Sequence, residues 1–252
     1  MSTVAPLAPP PAGSGRTLSS LARVVGVFAS PGETFADIAR EPHFILAWCV
    51  QLVCAFAFAA EVLHRVGAYQ LAHEQLMQSA RTRALPAAQL QPILAGAARF
   101  EGILLYAIPF LGLLVMLFLG WIFQGISNFL LGYEARYKAS LSMVSHALLV
   151  QSLYWLVVTV VVAVMPDPTS FQITNPISTN VAFFLDKATA PAFLYAFSLH
   201  LDLFAVWTML LLALGVAKLG GKKGKFGSAL AATGTLWLLM CLITAGVTAA
   251  FA

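Results

Sequence analysis

Five stretches of this chain leave it little choice of environment. Residues 43–63, 103–131, 141–165, 192–217 and 226–251 are each long and apolar, with almost no charge inside them. About 20 apolar residues in a helix cross the ~30 Å hydrocarbon layer of a bilayer. Each stretch meets that length. In hydrocarbon the backbone has to satisfy its own hydrogen bonds, so the spans are expected to be helices. The sequence therefore predicts an all-α polytopic membrane bundle of five transmembrane helices. Composition agrees. The chain has 252 residues, 60% hydrophobic and 10% charged, with a mean hydropathy of +0.86. Soluble domains carry about 25% charged residues.

The segment before the first span reads differently. Residues 1–16 are rich in Pro, Ala, Gly and Ser, and are expected to be a disordered tail. They carry no early positive charge and no long apolar core, so they do not read as a signal peptide. Over 17–41 two short amphipathic helices are expected at the membrane interface. Leu18, Leu21, Val25 and Phe28 recur at helical spacing in the first. Ser30-Pro31-Gly32-Glu33 starts the second, with serine to cap, proline at the first helical position and glutamate three residues on. Phe35 and Ile38 mark its apolar side, and Pro42 ends it. Such helices lie in the interface, pack on the protein's own bundle, or do both. The domain reading is completed by a transmembrane domain over 42–252.

Between the first two spans, residues 66–99 are polar and divided by Pro86. Two helical pieces are expected there, extending the flanking spans. A short interfacial helix is expected over the apolar patch at 181–185. In the second span Pro109 can kink the helix, and Gly112, Gly120 and Gly125 allow close neighbours. In the fifth, Gly227, Ala231 and Thr235 repeat every four residues and offer another helix a close approach.

Basic residues set the orientation. Arg16, Arg23, Arg40, Arg136, Lys138, Lys218, Lys222, Lys223 and Lys225 fall on the N-terminal side of a five-span layout. Arg65, Arg81, Arg83, Arg99 and Lys187 fall on the other. The positive-inside rule then puts the N-terminus in the cytoplasm. The expected location is a bacterial inner membrane.

Asp202 is the sharpest chemical feature. An ionisable group inside a span faces the bundle interior and needs a partner. His200 lies two residues away, on the opposite face of a helix. His146, Gln124 and Asn128 on other spans complete the expected intramembrane polar cluster around Asp202. The plainer reading is that Asp202 hydrogen-bonds between helices. The lysine turn, Lys218, Lys222, Lys223 and Lys225, is a topology signal that also offers contact to anionic lipid headgroups. It lacks the lysine position and following Ser/Thr of a phosphate loop.

Catalytic sets are missing from the pattern. Gly125-Ile126-Ser127 puts a serine in a span, but no second glycine follows it and nothing places a histidine. No H-E-x-x-H and no pair of intramembrane aspartates is present. Cys49, Cys54 and Cys241 lie in apolar runs and read as small apolar residues. No enzyme, cofactor, metal or nucleic-acid partner is expected. The expected partners are membrane lipids and other membrane proteins, or a second copy of the chain.

Three segments together resemble the Yip1-domain membrane family, in particular its bacterial members. Phe28-Ala29-Ser30-Pro31-Gly32-Glu33-Thr34-Phe35-Ala36-Asp37-Ile38, with Pro42 after it, resembles the family's opening pattern. Tyr137-Lys138-Ala139-Ser140-Leu141-Ser142 is similar to its entry to the third span. Leu201-Asp202-Leu203-Phe204-Ala205-Val206-Trp207, running to Ala213-Leu214-Gly215, is similar to its late pattern. The resemblance covers roughly residues 21–245, and the segment at 66–99 is bulkier than the pattern carries. It implies a five-helix membrane protein with a cytoplasmic N-terminus and no catalytic residues. Eukaryotic relatives act with small GTPases in vesicle traffic and membrane shaping. The function expected here is a non-enzymatic scaffold or adaptor; the alternative is a transporter, or a subunit of one, using Asp202.

Overall fold

The computed structural model describes residues 17–250, apart from 79 and 188. The tail over 1–16 and the last residue of the fifth expected span, Phe251, lie outside the described residues. Among those described, the structure is helical. No strand forms, and one isolated antiparallel bridge joins Asn180 to Asp202.

Four helices are long and apolar enough to cross a membrane. The first is α3 (Ile45–Arg65), which follows two short helices, α1 (Ser20–Ala29) and α2 (Pro31–Arg40). After α4 (Ala68–Gln78) and α5 (Ala80–Arg83) comes α6 (Ala87–Gly125), which passes without a break into a π-helical turn, Ile126–Leu130. The third is α7 (Tyr137–Ala147) continued by α8 (Leu149–Val164), interrupted only at Leu148. The segment expected to be one continuous span at 192–217 is two helices, α9 (Ala192–His200) and α10 (Leu203–Leu219). The chain then runs through α11 (Phe226–Ala250), the fourth long helix.

The second long helix outgrows its apolar run. With the π turn it covers 44 residues, about 66 Å at ~1.5 Å per residue. A bilayer core takes up about half of that. Its first turns pack against α4 and bury Leu94, while α4 buries Leu71. The two form a helical hairpin beyond the far ends of α3 and α8. Arg65 ties that end together. Its guanidinium donates to the carbonyls of Met165 (2.7 Å) and Val162 (3.4 Å), the orphan acceptors at the end of α8.

The bundle is arranged around α7, where every residue from Ala139 to Ala147 is buried. Small side chains make this possible. A Cβ on Gly120 of α6 would come 3.2 Å from Leu141 Cα, and a Cβ on Gly215 of α10 would collide with Met143. α6 therefore approaches the α7 backbone closely, and Gly215 makes room on α10 for the Met143 side chain. The same core takes in the N-terminal pair. Val27, Phe35 and Ile38 are fully buried with Met143, Val144 and Val216. α2 packs on α7 and α10, so of the two placements open in the sequence the structure shows contact with the protein's own bundle.

A buried ion pair locks these two helices. Arg23 Nε donates to Asp37 Oδ2 at 2.7 Å, with both side chains about 97% buried (3% and 2% exposed). Arg23 Nη1 also donates to the Glu41 carbonyl (2.8 Å), closing the chain after α2. Asp37 accepts further from the Leu18 amide (3.2 Å) and from Arg40 Nη2 (3.1 Å). Each charge thus has several partners, the condition under which a buried pair is tolerated. Removing Asp37 leaves the buried Arg23 without its counter-charge, holding only the Glu41 carbonyl and His43, at a cost of about 3–5 kcal/mol. We predict that Asp37→Ala lowers unfolding stability in detergent by that amount, and that Arg23→Met combined with Asp37→Leu recovers most of the loss. A single variant as stable as the parent, measured by thermal or denaturant unfolding, would show that the pair does not hold the hairpin.

Candidate functional site

The break between α9 and α10 is where the chain's chemistry concentrates. α9 stops at His200, and Leu201 turns out of the helix with its amide donating to the Ser198 carbonyl (3.3 Å). Asp202 is extended (φ −99°, ψ 144°) and caps α10. Its Oδ1 accepts from the amides of Phe204 (2.8 Å) and Ala205 (3.2 Å). Aspartate is among the best residues for this position, because it satisfies orphan amides and sets a negative charge at the positive end of the helix dipole. Its second oxygen, Oδ2, accepts from the Thr179 hydroxyl.

The connection from α8 supplies the rest. Thr179 to Val181 runs antiparallel to the break. The Leu203 amide donates to the Thr179 carbonyl (3.1 Å), and the Val181 amide to the Leu201 carbonyl (3.2 Å). Backbone groups freed by the interruption are thereby paired inside the protein. The exposed Phe183 and Phe184 follow in a 3-10 turn, Val181–Phe184. At the entrance to this connection, Asp167 accepts from the amide and hydroxyl of Thr169, which hold its carboxyl below the usual range.

Asp202 stands between two helices rather than inside one. From Leu203 to the lysine turn is about 24 Å along α10, most of the way across the ~30 Å apolar layer. The 165–191 connection reaches the break through Thr179 and Val181. α11 packs along both α9 and α10, so the two pieces together run beside one full-length helix. His200 supports this, its Nε2 lying 2.8 Å from the Thr244 hydroxyl of α11.

The expected cluster of Asp202, His146, Gln124 and Asn128 is not one network. The Asn128 side chain clamps Ala135, donating to its carbonyl (3.0 Å) and accepting from its amide (2.7 Å). Gln124 donates to the same carbonyl at 3.4 Å. Both therefore fix the loop after the π turn. His146 is 2% exposed inside α7, its Nδ1 2.7 Å from the Ser142 carbonyl. The amides that do bridge spans are others. Gln51 of α3 donates to the Ser145 carbonyl (2.7 Å), and Gln151 of α8 to the Thr208 hydroxyl of α10 (3.3 Å).

The lysine turn carries Lys222, Lys223 and Lys225 exposed and Lys218 half-buried. Gly221 has φ +52°, a conformation glycine adopts without strain. Tyr133 pins this turn to the loop after α6, its hydroxyl oxygen accepting from the Lys225 amide (3.3 Å). Sequence reasoning missed the Arg23–Asp37 pair. A signal was present: Arg23 falls one turn before Val27, and Asp37 between Phe35 and Ile38, each a charge set in the inner stripe. Among the described residues no three His, Cys, Asp or Glu side chains converge as metal ligands.

No protein-family model matches the chain, and neither a curated protein nor a solved structure matches it.

If Asp202 acts as a cap, Asp202→Ala should cost about 1–2 kcal/mol of unfolding stability, and Asp202→Asn much less, because asparagine caps nearly as well. Equal loss in both variants would mean that the charge, not the cap, is what the site requires.

Proposed function

We propose that this protein is a non-enzymatic membrane scaffold of Yip1 type, which organises the bilayer around it and offers docking to other membrane proteins. The observation that carries the reading is the second apolar face of α1. Its inner face, with Arg23 and Val27, is locked on the bundle. Its outer face carries Leu21 (67% exposed), Val25 (59%) and Phe28 (38%), one row at helical spacing. Water is a poor neighbour for such a row. The headgroup and acyl boundary of one leaflet suits it, with the helix lying about 5–10 Å deep. The ion pair then makes α1 a rigid wedge in a single leaflet rather than a tethered anchor.

In this reading the chain crosses the membrane five times, the fourth crossing being the broken pair α9 and α10. The N-terminus, the loop after α6 and the lysine turn face the cytoplasm of a bacterial-type inner membrane. The positive-inside distribution of the arginines and lysines supports that side.

Transport is the second reading, and the broken helix favours it, since interrupted helices often form binding sites in transporters. Against it, both carboxylate oxygens of Asp202 are engaged by the chain itself.

Vesicles reconstituted with the purified protein separate the two. The scaffold reading expects vesicle diameter to fall as protein density rises, an effect lost in the Leu21→Glu, Val25→Glu double variant. It expects solute flux at the level of protein-free vesicles. Flux that Asp202→Asn abolishes would establish transport instead. Unchanged vesicle shape, with no membrane protein co-purifying in mild detergent, would overturn the scaffold reading.

A further inference from the structure

A crevice opens between α6 and α11. α6 packs on α7, and α11 packs on α10 and α9, but α6 and α11 are not in extended contact with each other. At the near end the gap is an open groove of about 590 Å³ between Ile126 and Leu130 on one side and Ala231, Thr235 and Leu239 on the other. Deeper, it meets a second cavity of about 230 Å³ between Phe123 and Met240, and Leu236 lines both. At the near end the α11 wall presents the small side chains Ser228, Ala231, Ala232 and Thr235, with Leu236 and Leu239 below them.

Two properties of this crevice point to one occupant. From Ser228 to Met240 the wall is about 18 Å long, close to the depth of a single leaflet. Its mouth opens three residues past Lys225, beside the exposed Lys222 and Lys223. Tyr133 holds that mouth together by accepting from the Lys225 amide. We propose that the crevice seats one acyl chain of an anionic phospholipid whose phosphate is held by Lys222, Lys223 and Lys225. A second copy of the chain suits the place less well. A two-fold contact along α11 would bring the two lysine turns side by side at one membrane face, like charge against like.

The inference rests on the reading of the chain as membrane-spanning, with the lysine turn at a leaflet surface. Each basic residue near an anionic surface contributes about fivefold in binding. Native mass spectrometry of the full chain in detergent, titrated with phosphatidylglycerol and with phosphatidylcholine, tests it. One retained phosphatidylglycerol per chain is expected, preferred over phosphatidylcholine by on the order of a hundredfold. The variant Lys222→Gln, Lys223→Gln, Lys225→Gln should lose that preference, and Ala231→Trp should reduce retention of both lipids. Equal retention of the two lipids by the parent, or retention that Ala231→Trp leaves unchanged, would overturn the proposal. So would a lipid-free dimer that Ala231→Trp dissociates. If lipid preference is absent while reconstituted vesicles still shrink with protein density, this site fails and the scaffold reading stands.

Discussion

Hydrocarbon offers no partner to a peptide N–H or C=O, and most features of this fold answer that constraint. Long helices satisfy it trivially. The informative places are those where a helix stops. At His200 the chain leaves the helix inside an apolar run, and an extended segment from 23 residues earlier arrives to pair with it. Asp202 closes the remaining amides. At the end of α8 an arginine from α3 covers the terminal carbonyls. At the end of α6 a π turn and the Asn128 side chain do the equivalent work for the loop to Arg136. Polar side chains in this protein chiefly complete backbones.

The second theme is close approach around α7. Its serines and alanines present little bulk, and glycines on α6 and α10 let those helices come near. Packing of this kind depends on contact rather than on expulsion of water, because lipid is as apolar as the side chains it replaces. The N-terminal pair joins the same core through Phe35 and Ile38 and is fastened by Arg23 and Asp37. In the proposed scaffold reading this rigid attachment matters. A helix held at fixed depth and angle can displace lipid in one leaflet, whereas a loosely tethered one follows the lipid.

Much of this was legible in the residues. Long uncharged runs identify the spanning helices, and Ser30-Pro31-Gly32-Glu33 marks the start of α2 at Pro31, where the helix begins. Local signals of this kind act within one turn. What they miss depends on distant partners. The run around Asp202 reads as one span, since apolar periodicity does not register a residue that caps a helix in the middle of an apolar run. Its partner Thr179 lies in a connection whose path no local rule gives. Gln124 and Asn128 share a helix face, as their spacing says, but the face turns to Ala135 rather than to Asp202. The Arg23–Asp37 pair needed a tertiary step, the folding of two short helices face to face.

The central claim is that α9 and α10, though broken at Asp202, make one crossing, so that the connection after α8 and the lysine turn face opposite sides. Cysteine reporters at Thr169, Lys223 and Glu33, placed singly after Cys49, Cys54 and Cys241 are replaced by alanine, measure this with an impermeant thiol reagent on sealed membranes. The account predicts that Lys223 and Glu33 positions react from one side and Thr169 from the other. Thr169 and Lys223 reacting from the same side would contradict it.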